Sequence, residues 1–112
     1  MSDIKEIINA LVKFRDERDW EQFHDSKNLS AAISIEAAEL NELFLWKNIQ
    51  ESEVVDKEKI KEELADILAY SFLLANRHHF DVKQIILDKI KKNGEKYPIH
   101  KAKGSSKKYD EL

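Results

Sequence analysis

The sequence predicts an all-α fold, a small bundle of four amphipathic helices, on three observations. Of 112 residues only two are Gly and one is Pro, so residues that break helices are scarce. The stretches between them are rich in Ala, Leu, Ile, Glu and Lys, which are good helix formers. Apolar residues recur at spacings of three and four, and no segment alternates as a strand would. The length suits one domain with one core.

The elements follow in order. Asp3 and Glu6 read as a capping box opening the first helix, with Ile4, Ile7, Ile8, Leu11 and Phe14 on one face to about Arg18. Asp19–Lys27 breaks the period and reads as a connection carrying two aromatics and a histidine. A second helix starts near Asn28 or Ser30 and runs to about Lys47, with Leu29, Ile33, Leu40 and Leu43 as its apolar stripe. Asn48–Lys57 is polar, with Ser52 or Asp56 as the next cap. The third helix covers roughly Lys59–Arg77, striped by Ile60, Leu64, Ile67 and Leu74, with Phe72 and Leu73 off that stripe. Asp81 and Gln84 cap a fourth, faced by Val82, Ile85, Ile86 and Ile90 and stopped at Asn93-Gly94. Residues 1–98 form the folded domain, and residues 99–112 read as a basic, flexible tail.

Composition narrows the class. There is no cysteine, hence no disulfide framework and no thiolate chemistry. The N-terminus lacks a basic region followed by an apolar core, and the longest apolar run, Ile67–Ala75, is too short to span a bilayer. A cytoplasmic protein with no membrane partner is expected. The net charge of −3 is uneven. From Lys91 onward seven lysines face three acids, so residues 91–112 carry +4 and the rest −7. The tail has few interleaved aromatics, which argues for phosphate contact of some kind rather than a nucleic-acid polymer, with a merely solvated tail as the plainer alternative.

The chemistry is carried by two acidic pairs, Glu36-x-x-Glu39 and Glu63-x-x-Asp66. Residues three apart share a helix face, so each pair sets two carboxylates side by side. Asp3/Glu6, Asp16/Asp19 and Glu39/Glu42 have the same spacing and read as solvated faces. The two singled-out pairs differ because they fall in register with, or flank, an apolar stripe. Ionised carboxylates gathered there repel one another and lose solvation, and a hard divalent cation relieves both penalties. All-oxygen ligands favour Mg²⁺, or Mn²⁺ in its place, over zinc. A di-iron carboxylate bundle would need Glu-x-x-His on two helices. The chain offers only Glu21-x-x-His24, in a connection. Mg²⁺ held by carboxylates is usually completed by substrate phosphates, for which Lys89, Lys92 and Lys96 are at hand. Trp20, Phe23 and Trp46 offer stacking surfaces for a base, although on their own they read more simply as core or subunit contacts.

The run Arg18-Asp19-Trp20-Glu21-Gln22-Phe23-His24 is followed by Glu36-x-x-Glu39-Leu40, Glu42-Leu43-Phe44 and Trp46. Then come Glu62-Glu63-Leu64-x-Asp66, Tyr70, and Lys89-x-x-x-Asn93 leading to Tyr97-Pro98. Together these closely resemble the MazG-like all-α nucleoside triphosphate pyrophosphohydrolases, nearest to their dCTP pyrophosphatase branch, over Ile4–Pro98. The resemblance implies a MazG-type bundle in which Glu36, Glu39, Glu63 and Asp66 coordinate Mg²⁺ and carry catalysis. It implies phosphate contacts from Tyr70, Lys89, Asn93 and Lys96, and a base and sugar pocket walled by Trp20, His24 and Trp46. The implied reaction releases pyrophosphate and a nucleoside monophosphate, in house-cleaning or pool balance.

The resemblance also implies a homotetramer of paired subunits sharing each site, in keeping with apolar positions such as Leu45 that one bundle leaves over. One position departs: vertebrate members of the dCTP branch carry a histidine where this chain has Leu11. Relatives that prefer dUTP or accept several nucleotides therefore stay in view. So does a non-catalytic module in which metal serves oligomerisation alone, although such a module has no use for the tryptophans and lysines.

Overall fold

A computed structural model describes all residues, 1–112. The order is α1 (Asp3–Glu17), a 3₁₀ turn (Glu21–Phe23), α2 (Ser26–Glu42), α3 (Ile49–Glu53), α4 (Lys57–Arg77), α5 (Val82–Lys96), α6 (Ile99–Ala102) and a last 3₁₀ turn (Tyr109–Glu111). The fold is all-helical, as expected, with four long helices. No helix is long and apolar enough to cross a membrane.

The helix boundaries depart from expectation where a nearer side chain wins the cap. Ser2, not Asp3, caps α1, its Oγ accepting from the Lys5 amide at 3.2 Å. Asp25 caps α2, accepting from the Asn28 amide at 2.7 Å, so that helix begins several residues early. It also ends early, at Glu42, and residues 43–46 form turns, the last closed by the Lys47 amide on the Phe44 carbonyl at 3.2 Å. Asn48 and Glu51 make a reciprocal capping box that opens the unexpected α3. Asp56 caps α4 and Asp81 caps α5 as predicted. Asn93-Gly94 does not stop α5, which runs on through both residues to Lys96.

The chain forms two compact units, Met1–His79 and Phe80–Leu112. In the first, α2 and α4 are the principal pair, with α1 laid on α4. Ser26, at the start of α2, meets His78 just past the end of α4 through an Oγ–Nε2 bond of 2.9 Å. Arg77 donates to the His24 carbonyl at 3.3 Å. The two helices are therefore antiparallel, and the register sets the middle of one against the middle of the other. Leu29, Leu73 and Ala75 are the buried residues of this unit. Leu73 thus belongs to the core, because the antiparallel register places it opposite Leu29 rather than off the packed stripe. Ser71 fits the same apolar run by donating its hydroxyl to the Ile67 carbonyl at 2.6 Å.

The second unit is α5 with the segment after it. The Tyr97 and Tyr109 rings meet edge to face with centroids 6.2 Å apart, and the Lys96 ammonium lies 5.0 Å from the Tyr109 ring centre. This cation–π contact ties the end of α5 to the final turn.

Candidate active site

The antiparallel pairing of α2 and α4 sets Glu36 and Glu39 against Glu63. One carboxylate oxygen from each of the three lies within 4.8 Å of the others. An ion bonded to oxygens on opposite sides spans roughly 4–5 Å, so the trio matches the reach of a divalent cation. The buried Oε2 atoms of Glu36 and Glu63 have no hydrogen-bond partner. Two ionised carboxylates only accept hydrogen bonds and cannot satisfy each other. These are the orphaned oxygens that a cation would take up.

The cluster shifts its own protonation. Burial, then hydrogen bonding to Glu39 and Glu63, then the charges of Glu39 and Asp66, push the Glu36 carboxyl up to about 7. Glu63 is raised too, first by burial. Asp66 is not one of the converging trio, yet its charge acts on both acids, so it faces the same cluster from one turn further along α4.

Asp66 also lines a pocket of about 240 Å³ with Leu11, Phe14, Arg15, Trp20, His24, Ala69, Tyr70 and Leu73. A ladder of rings builds one wall. Phe14 meets Trp20 edge to face at 5.8 Å, Trp20 stands 6.4 Å from His24, and His24 meets Tyr70 edge to face at 6.3 Å. The backbone arranges this by ending α1 sharply: Asp19 takes a left-handed φ of 54°, and the Trp20 amide turns back to the Arg15 carbonyl at 3.0 Å. Burial, then the Arg15 charge, lowers the His24 pKa, favouring a neutral imidazole whose buried Nδ1 has no partner. Burial, then the charges of Glu36 and Asp66, raises the Tyr70 pKa, so its phenol remains a hydrogen-bond donor. An apolar slot with a few polar groups, opening beside a carboxylate cluster through the shared Asp66, suits a flat ring joined to a metal-seeking group.

The predicted residues are therefore grouped unevenly. Glu36, Glu39, Glu63, Asp66, Tyr70, Trp20 and His24 come together in the first unit. Trp46 does not join them. It follows α2 at the end opposite His24, and a 17-residue helix is about 25 Å long. It is 91% exposed and holds a left-handed φ of 64°. Lys89, Asn93 and Lys96 lie along α5 in the second unit. Sequence reasoning missed Phe14 and Arg15 as pocket residues. The signal was present in the Leu11, Phe14, Arg15 spacing, but a charged residue at its edge reads as solvated. Arg15 is instead tucked in, its side chain 14% exposed and bonded through Nε to Asp16 at 2.9 Å.

A helical pair presenting E-x-x-E against E-x-x-D beside an aromatic slot is the arrangement that the resemblance to the MazG-like pyrophosphohydrolases implies. A model of the MazG-like family matches residues 31–112, and the chain belongs to that family. Among curated relatives, dCTP pyrophosphatase 1 of Mus musculus is 39% identical over 114 residues, covering 97% of this chain and 67% of the relative. The Homo sapiens protein of that name is 40% identical with the same coverage. Among solved structures, a pyrophosphatase from Archaeoglobus fulgidus superposes with a TM-score of 0.83 at 36% identity, covering 88% of this chain and 94% of that one. The chain is accordingly an enzyme, a nucleoside triphosphate pyrophosphatase similar to the dCTP pyrophosphatases. Pyrophosphatases of this family generally depend on a divalent metal, and the acidic trio is a candidate place for it.

Proposed function

We propose that the protein hydrolyses dCTP, or dCTP modified at C5, to the monophosphate and pyrophosphate in a Mg²⁺-dependent reaction. The observation carrying this reading is the convergence of three carboxylates, two with orphaned buried oxygens, beside an aromatic pocket that shares Asp66 with them. Glu36, Glu39, Glu63 and Asp66 hold Mg²⁺, or Mn²⁺ in its place. When bound, the cation neutralises phosphate oxygens and makes water a better nucleophile. A carboxylate of the cluster that is not fully committed to the cation takes the proton of the attacking water. Trp20 and the neutral His24 hold the base, and the Tyr70 phenol donates a hydrogen bond to a phosphate oxygen. Lys89, Asn93 and Lys96 supply further phosphate contacts.

Trp46 completes the base pocket from a second copy of the chain, which makes the working unit an oligomer, a tetramer built from pairs. Its exposure and its separation along α2 from its own chain's pocket support that assignment. A cytoplasmic location fits a substrate drawn from the soluble nucleotide pool.

Pyrophosphate release from dCTP, dUTP, dTTP and dATP in Mg²⁺ tests the reading. Wild type is expected to favour dCTP or a 5-substituted dCTP. Glu39→Gln and Asp66→Asn are expected to lose several orders of magnitude in rate while staying helical by circular dichroism. Near-normal turnover by either variant would remove the four-carboxylate site.

A further inference from the structure

A second and larger cavity, about 540 Å³, lies behind the base pocket at the junction of α2 and α4. The two share Arg15, His24 and Leu73 as a common wall. Its lining includes both guanidinium groups of that region, Arg15 and Arg77, with His78, His79 and the Asn76 amide. Glu21 is the single carboxylate among the lining residues, and Arg15 already holds it at 3.7 Å. Arg77 has no carboxylate partner. Its one hydrogen bond is the 3.3 Å contact to the His24 carbonyl, which leaves most of its fork of donors unused. The Nδ1 of His24, in the shared wall, is buried and unpartnered. Ser26, the first residue of the 17-residue α2, also lines the cavity and brings to it the N-terminal end of that helix, which the Asp25 carboxylate already caps.

We propose that this cavity is a second anion site, distinct from the carboxylate cluster, which binds the phosphate group of a small phosphorylated ligand. Guanidinium forks match phosphate oxygens in pairs, and with Arg15 already engaged by Asp16 and Glu21 the uncompensated charge at the cavity is that of Arg77. The chemistry is that of free phosphate, pyrophosphate or a nucleoside monophosphate alike. An occupant would press on Arg15 and His24, which also face the base pocket.

Calorimetric titration of the metal-free full chain in EDTA with inorganic phosphate, pyrophosphate and dCMP tests this without reference to turnover. At least one inorganic anion is expected to bind, and Arg77→Gln is expected to weaken it about tenfold or more by loss of a charge-assisted contact. Arg77→Lys should recover part of the loss, and Lys61→Gln, at an exposed position on α4 beside Glu58, should change nothing. Asn76→Ala is the second variant should Arg77→Gln fail to fold. Tighter binding of dCMP than of phosphate, still sensitive to Arg77, would identify a nucleotide as the fuller ligand. Binding of dCMP with none of either inorganic anion, or equal losses in Arg77→Gln and Lys61→Gln, would overturn the proposal.

Discussion

Glu36 concentrates the electrostatic problem of this molecule in one side chain. Its carboxyl is pushed up to about 7, with burial the leading cause. An acid whose folded pKa lies above its unfolded value of 4.5 binds more protons when folded between those two values. The sign of the linkage follows: stability falls as pH rises from about 4.5 to about 7 and is lost, not gained, by ionisation. The metal-free protein is therefore expected to melt at a lower temperature at pH 8 than at pH 5.5. Mg²⁺ should flatten that slope, because a cation replaces the proton, and Glu36→Gln should flatten it without metal. Thermal melts across pH, with and without EDTA, measure all three. A metal-free melting temperature that rises toward pH 8 would contradict the assignment.

At the scale of elements, the helices are held by local caps more than by intrinsic propensity, and their ends show what a sequence makes legible. The apolar periods placed all four long helices and put Glu36 in register with a stripe, since helix periodicity survives any packing. Their ends were less legible because nearby residues compete for one cap and only geometry decides, as with Ser2 over Asp3 and Asp25 over Asn28. Gly94 shows the opposite limit: Asn93-Gly94 looks like a stop, yet the following residues continue the helix. Nothing lies within 4 Å of where a Gly94 side-chain carbon would sit. Gly94→Ala is therefore expected to stabilise the protein by about 0.5–1 kcal/mol, the usual cost of glycine inside a helix. Chemical denaturation measures it, and a destabilised variant would mean that α5 does not persist through that position.

At the scale of the whole molecule, the base pocket and Trp46 pull in different directions. A bulky residue held at positive φ and left 91% exposed carries backbone strain with no compensation inside its own chain. Ile49 and Val54 beside it are 79% and 81% exposed, an apolar neighbourhood suited to another copy. Sedimentation is expected to show a species several times the 13.1 kDa chain mass. If Trp46 serves a neighbour's pocket, Trp46→Ala and Glu39→Gln damage different halves of a shared site. Mixing the two variants after co-refolding should restore part of the lost turnover, as one pairing carries an intact set. No recovery in a proven hetero-oligomer would return Trp46 to a role within its own chain. A linear motif alone does not say which copy of the chain each residue would serve.

The seam between α2 and α4 has a further consequence. The principal helix pair of the first unit is joined across mutually repelling acids, so opening of that pair is opposed by packing but helped by charge. Backbone amides near Glu36 and Glu63 should then exchange their hydrogens faster in chelator than in Mg²⁺, while those near Leu29 and Leu73 barely respond. Such a pattern would make the centre of the pair looser than its end until a cation binds. The enzyme would then be most rigid when it is charged with metal and ready to work.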